Sequence, residues 1–173
     1  GGMVPAGTDV VVVAADDTVI FDGHSPTQAT CRRIFIDPKG ILTFKADEQS
    51  HTLSVAGPIE SYGTIRMDAS KAPLGVMELC LIAEADEERT IRMVPNSALF
   101  LYGLEREGGR KNVVLSSLAP QAGQARREAL VVVKDETMVD IHRTELRDVV
   151  LQLANLDNTG FKPTERLNLV ANA

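Results

Sequence analysis

A glycine followed by a short alternating strand occurs twice in this chain, as Gly40-Ile41-Leu42-Thr43-Phe44 and as Gly63-Thr64-Ile65-Arg66-Met67, with the glycines 63 − 40 = 23 residues apart. Val19-Ile20-Phe21 precedes Ile41-Leu42 by about the same step. Thr64-Ile65-Arg66-Met67 recurs letter for letter as Thr90-Ile91-Arg92-Met93, 90 − 64 = 26 residues on. Short strands returning at such an interval are the signature of stacked coils, because one coil cannot bury its inward side chains until another lies on it. The pattern predicts an all-β fold, a single-stranded right-handed parallel β-helix (β-solenoid). The same strands paired antiparallel would give a β-sandwich or jelly roll, which is the alternative.

Composition agrees with a narrow aliphatic core. Aromatic residues make up 4 % of the 173, with no Trp, while 44 % are apolar. A net charge of −6 and scattered Lys and Arg argue against a nucleic-acid or anionic-membrane surface, both of which need clustered cations. No run of 18 apolar residues offers a membrane span. Cys31 and Cys80 stand 80 − 31 = 49 residues apart, about two coils, so they could stack and pair. Each lies in an apolar stretch, which favours buried free thiols. Metal-type Cys and His spacing is absent, and no cofactor is expected.

Along the chain, strands are predicted at Val10–Val13, Thr18–Asp22, Cys31–Asp37, Ile41–Lys45, Leu53–Ala56, Gly63–Asp68, Thr90–Val94, Ala98–Tyr102 and Val113–Leu115. Asp37-Pro38-Lys39-Gly40 reads as a turn with Pro second and Gly available for a positive φ. Met77–Ala83 is apolar enough to be a strand, with a helix continuing into Glu84–Glu88 as its alternative. Residues 119–129 break the pattern and read as a loop excursion; residues 130–173 resume it with Leu130–Val133, Met138–His142, Leu146–Leu153 and Leu167–Val170. A last coil that stops at once predicts either a longer protein or a cap from another chain, with end-to-end or edge-mediated assembly as a consequence.

The phrases Pro5-Ala6-Gly7-Thr8-Asp9-Val10, Val19-Ile20-Phe21-Asp22, Gly40–Phe44, Gly63–Met67 and Asn96-Ser97-Ala98-Leu99-Phe100-Leu101-Tyr102-Gly103 resemble the G8 domain, a glycine-punctuated all-β module of extracellular proteins. The resemblance covers residues 1–118. The family's Trp before the opening Pro and its glycine-rich turn at Asn96-Ser97 are missing here. The segment from Leu130 resembles the parallel β-helix coils that often follow such modules. The resemblance implies a secreted or cell-surface location; no leader is visible, which leaves a cytosolic origin as the alternative.

Two groups of side chains are candidates for chemistry. Asp140 and His142 alternate outward if Val139 and Ile141 point in, with Asp148 and Asp157 near them in sequence; such a set is what a polysaccharide lyase or glycoside hydrolase would use. Arg66, Asp68 and Arg92 are the second group, since the repeated tetrapeptide would stack Arg66 and Arg92 into a basic ladder for a carboxylated sugar. His24 and His51 read as loop or strand-edge residues without partners. No nucleophile elbow, phosphate loop, dinucleotide fingerprint or zinc-helix motif is present. The expected function is an extracellular or cell-surface module for structural support or for binding polysaccharide or another surface protein, without catalysis. The alternative is the N-terminal part of a secreted polysaccharide-degrading enzyme.

Overall fold

The computed structural model describes residues 4–45, 47–71, 75–82, 89–118, 129–134, 136–153 and 168–169. Its strands are β1 (Val10–Val13), β2 (Thr18–Phe21), β3 (Gln28–Cys31), β4 (Arg33–Ile36), β5 (Ile41–Lys45), β6 (His51–Val55), β7 (Ile59–Ser61), β8 (Thr64–Asp68) and β9 (Met77–Leu81). They continue as β10 (Thr90–Met93), β11 (Ala98–Tyr102), β12 (Val113–Ser117), β13 (Ala129–Val133), β14 (Met138–His142), β15 (Glu145–Arg147), β16 (Val149–Leu153) and β17 (Asn168–Leu169).

Sheet membership repeats every three strands. Sheet A holds β1, β4, β7, β10, β13 and β16; sheet B holds β2, β5, β8, β11, β14 and β17; sheet C holds β3, β6, β9, β12 and β15. Each strand pairs in parallel with the strand three places along, never with its neighbour in sequence. The chain thus winds through A, B and C five times and enters a sixth turn, which is a parallel β-helix. The antiparallel sandwich is excluded, since the antiparallel contact found among the described residues is a single bridge, Glu105 to Lys111, in a loop.

Alternation within each strand builds the core. In sheet B, Leu42, Ile65, Leu99 and Val139 stack in one inward row and Phe44, Met67, Leu101 and Ile141 in the next. All eight are buried, and each such side chain contributes on the order of 1.5–3 kcal/mol by leaving water. At the first coil the rows end in an open cavity of about 730 Å³ lined by Val19, Phe21, Leu42 and Leu53 among others.

Corners between sheets A and B carry left-handed residues: Asp16, Lys39, Asn96 and Glu136 all have positive φ. Three of them close hydrogen-bonded turns, from Asp17 N to Ala14 O (3.1 Å), Gly40 N to Asp37 O (2.9 Å) and Ser97 N to Val94 O (3.1 Å). The left-handed residue falls third, as a type II turn requires. Positive φ therefore belongs to Lys39, where the sequence offered Gly40. Gly40 is needed for space: a Cβ there would lie 2.8 Å from Val13 O, and one on Gly63 would lie 2.2 Å from Gly40 O. Gly40 and Gly63 stack at this corner, whereas the later coils carry Ser97 and Thr137 there, so the close approach belongs to the coils that bear the glycine-strand phrase.

Several expectations change. Cys31 to Asp37, predicted as one strand, is β3 and β4 separated by a corner at Arg32, whose N–H donates to Asp9 O (2.8 Å) and whose carbonyl accepts from Gly57 N (2.7 Å). Leu146 to Leu153 is likewise broken, at Asp148, which has a φ of 54°. Residues 77–81, by contrast, form the strand that the sequence predicted there. The tetrapeptide repeat does not mark stacked coils, because Thr64–Met67 lies in β8 of sheet B and Thr90–Met93 in β10 of sheet A. True stacking partners are separated by as few as 149 − 129 = 20 residues and as many as 138 − 98 = 40. The expected excursion at 119–128 lies outside the described residues.

The cysteines point to opposite faces of sheet C. Cys31 shares its column with Val55 and Leu81, whereas Cys80 shares one with Ser54 and Ser116. Both thiols are buried and free.

Candidate binding site

The outward face of sheet B gathers four of the seven side chains singled out by sequence, Arg66, Asp68, Asp140 and His142. One column reads Thr43, Arg66, Phe100, Asp140 and the next Lys45, Asp68, Tyr102, His142. These positions face out because Leu99, Leu101, Val139 and Ile141 face in, and strand side chains alternate. Arg66 and Asp68, expected as one group, and Asp140 and His142, expected as another, belong to a single surface.

Aromatic rings occupy its centre. Phe100 and Tyr102 are stacked with centroids 6.0 Å apart and planes 26° apart, and Tyr102 meets the His142 ring at 5.5 Å. The Arg66 guanidinium lies 5.9 Å from the Tyr102 centroid, within cation–π range. Neither ring was picked out for chemistry by sequence, yet the signal was present: with Leu99 and Leu101 inward, Phe100 and Tyr102 must face out.

Carboxylates on this face are held by neighbours. Arg66 Nη2 donates to Asp68 Oδ2 at 2.8 Å, and the Ser70 hydroxyl donates to Asp68 Oδ1 at 2.6 Å. Partial burial pushes the Asp68 carboxyl up, but the hydrogen bonds from Ser70 and Arg66 outweigh it and leave the group below its ordinary value. Tyr102 Oη donates to Asp140 Oδ2 at 2.8 Å. His142 Nε2 stands 2.6 Å from Asp140 Oδ1, a buried oxygen that no hydrogen bond reaches in line among the described residues, so the contact is close but lacks hydrogen-bond geometry. Burial, then the hydrogen bond to Asp140 and its charge, push the Tyr102 phenol up to about 12. Tyr102 therefore keeps its proton at physiological pH and acts as a donor, not a base.

The strands carrying this face are pinned from behind by Asn112, which is fully buried. Its Oδ1 accepts from Leu104 N (2.6 Å) just past β11, and its Nδ2 donates to Ala69 O (3.0 Å) just past β8. Gly103 completes the support, since a Cβ there would stand 2.2 Å from Arg143 O.

The remaining candidates lie elsewhere. Arg92 sits on sheet A between Glu60 and Val132, so the predicted Arg66–Arg92 ladder does not exist. Asp148 occupies the corner from sheet C to sheet A, away from Asp140 and His142 on sheet B. Asp157 lies outside the described residues. His24 is exposed in a loop. His51, expected to lack partners, is fully buried, with Nδ1 3.3 Å from Pro26 O and Nε2 3.2 Å from both oxygens of Asp47. No group of three or more His, Cys, Asp or Glu is placed to hold a metal among the described residues. No helix among them is long and apolar enough to cross a membrane.

Comparison of the chain with protein-family models, with curated proteins and with solved structures finds no match in any of the three.

Proposed function

We propose that this chain is an extracellular or cell-surface β-solenoid module that binds glycan on the outward face of sheet B and catalyses no reaction of its own. The observation that carries this reading is the aromatic shelf of Phe100 and Tyr102, bordered by Arg66–Asp68 on one coil and Asp140–His142 on another. Flat ring faces accept the apolar face of a sugar ring, and fixed polar groups around them select its hydroxyls and charges. The extracellular location rests on the resemblance to G8 modules, and the scattered charge supports a partner other than nucleic acid.

The enzymatic alternative draws on the Asp140–His142 pair, which stands on an open face. It needs a converging set, however, and Asp148 lies at a different corner while Tyr102 holds its proton. Binding without turnover fits these groups better. A glycan array read together with reducing-end and unsaturated-sugar assays tests the reading. Glycan binding that is lost in Tyr102→Ala, with no cleavage, supports it; cleavage by the wild-type chain overturns it. Capture of a surface protein with no sugar bound would overturn the glycan assignment.

A further inference from the structure

The charges around the Phe100–Tyr102 shelf restrict which sugars can lie on it. Arg66 is the cation in contact with the shelf, and its guanidinium is already engaged: Nη2 donates to Asp68 Oδ2 at 2.8 Å, and the group lies 5.9 Å from the Tyr102 centroid. Lys45 stands in register with the same Asp68. Asp140 has no Lys or Arg beside it in register, its partners across the strands being Phe100 and Asn168. The four fixed charges of these columns, Lys45 and Arg66 against Asp68 and Asp140, balance, so the face offers no long-range attraction to an ionic sugar.

A uronate or sulfate on Tyr102 would lie between Asp68, next to Tyr102 in the same column, and Asp140, which is bonded to the phenol. Like charges brought together in this way repel, and to gain the Arg66 guanidinium the anion would have to displace Asp68. Hydroxyls meet the opposite situation, because a sugar O–H donates and a carboxylate accepts. Asp140 has accepting capacity to spare: Tyr102 fills Oδ2, whereas Oδ1 receives no hydrogen bond among the described residues. A buried acceptor without a donor costs free energy that a ligand hydroxyl would recover. The His142 ring lies against Oδ1, with Nε2 2.6 Å away, and its side chain is 45 % exposed, so it has solvent to turn into when a hydroxyl takes its place.

Resting on the glycan reading above, we infer that the sheet B face selects uncharged glycans, with Asp140 accepting the sugar's hydroxyls and turning away uronates and sulfated sugars. The carboxylated sugar expected from a stacked Arg66–Arg92 pair is thereby replaced, since Arg92 belongs to sheet A and Arg66 is answered by Asp68.

Matched polysaccharides that share a backbone and differ in charge test this. Suitable pairs are dextran and dextran sulfate, cello-oligosaccharides and carboxymethyl-cellulose, and homogalacturonan with and without its methyl esters. Wherever binding occurs, the uncharged member should bind at least about tenfold more tightly. Equal or tighter binding of the charged members overturns this inference and leaves the glycan reading standing, whereas no binding to any member overturns both. Asp140→Asn keeps an oxygen to accept from the Tyr102 phenol and removes the charge. With folding confirmed by circular dichroism, it should weaken binding of the uncharged member by about tenfold. Unchanged affinity in the folded variant overturns the role given to Asp140.

Discussion

Tyr102 and Asp140 stand on adjacent coils and are joined by a hydrogen bond of 2.8 Å from Oη to Oδ2. That bond ties β11 to β14 across the outward face of sheet B, and it fixes the Tyr102 ring against Phe100 on one side and His142 on the other. Tyr102→Phe should keep the fold and the shelf but free the Asp140 carboxylate. We expect glycan affinity to fall by about 1 kcal/mol, a factor of about five, with thermal stability changed by a similar amount. Titration calorimetry and thermal denaturation read the two effects separately.

Ionisation of the same phenol gives a pH signature. The folded-state value is raised to about 12, first by burial and then by Asp140, whereas an unfolded tyrosine titrates near 10. The stability linked to this group is fully present below about pH 10 and is lost as pH rises through about 12. In a Tyr62→Phe background, ultraviolet absorbance should show the remaining tyrosine ionising well above a free tyrosine. A midpoint near 10 in the folded protein would contradict the Tyr102–Asp140 bond.

How much of this was legible in the sequence differs between fold and site. The step from Val19 to Leu42 to Ile65 is uniform, and it revealed the solenoid because those three strands stack in register. The identical tetrapeptides misled, since Thr-Ile-Arg-Met satisfies inward and outward alternation on any sheet, and the coil after β8 is lengthened so that its stacking partner comes 98 − 64 = 34 residues later. Asp140 and His142 were legible from alternation alone. Their union with Arg66 and Asp68 was not, because it depends on which strand stacks on β8, and that is set by loop lengths rather than by the strands themselves.

Crowding at the A–B corner makes a sharp contrast between glycines. Gly63→Ala would drive a Cβ to 2.2 Å from the Gly40 carbonyl oxygen, an atom of the backbone that cannot step aside cheaply. We expect a loss of about 3 kcal/mol or more in chemical denaturation, or failure to fold. Gly108→Ala meets nothing within 4 Å and should cost only about 1 kcal/mol, the penalty of its φ of 81°.

Asn112→Ala should be damaging out of proportion to its size. It leaves the part-buried Leu104 N–H and the buried Ala69 carbonyl without the amide that satisfies them, at up to about 1–3 kcal/mol for a buried group left unpaired. Because those groups follow Tyr102 and Asp68 so closely, glycan affinity should fall as well, although Asn112 touches no ligand. Equal affinity in a destabilised Asn112→Ala protein would show that the bracket supports the fold alone.

Thiol chemistry should follow from the opposite facing of Cys31 and Cys80. Neither can reach the other, so reductant should leave the melting temperature unchanged. Burial, and then the charge of Asp9, push the Cys31 thiol up to about 11, and burial raises Cys80 as well. Labelling by a thiol reagent should be slow in native buffer and reach two groups per chain only in denaturant.

The most direct measurement is glycan binding by the wild-type chain and by a Phe100→Ala, Tyr102→Ala double variant, compared on one array with product analysis of the bound sugars. Binding by wild type, its loss in the folded double variant, and intact sugar throughout is the predicted result. A wild-type chain that binds no glycan, a double variant that binds as well as wild type, or sugars recovered in cleaved form would each contradict the assignment of the sheet B face.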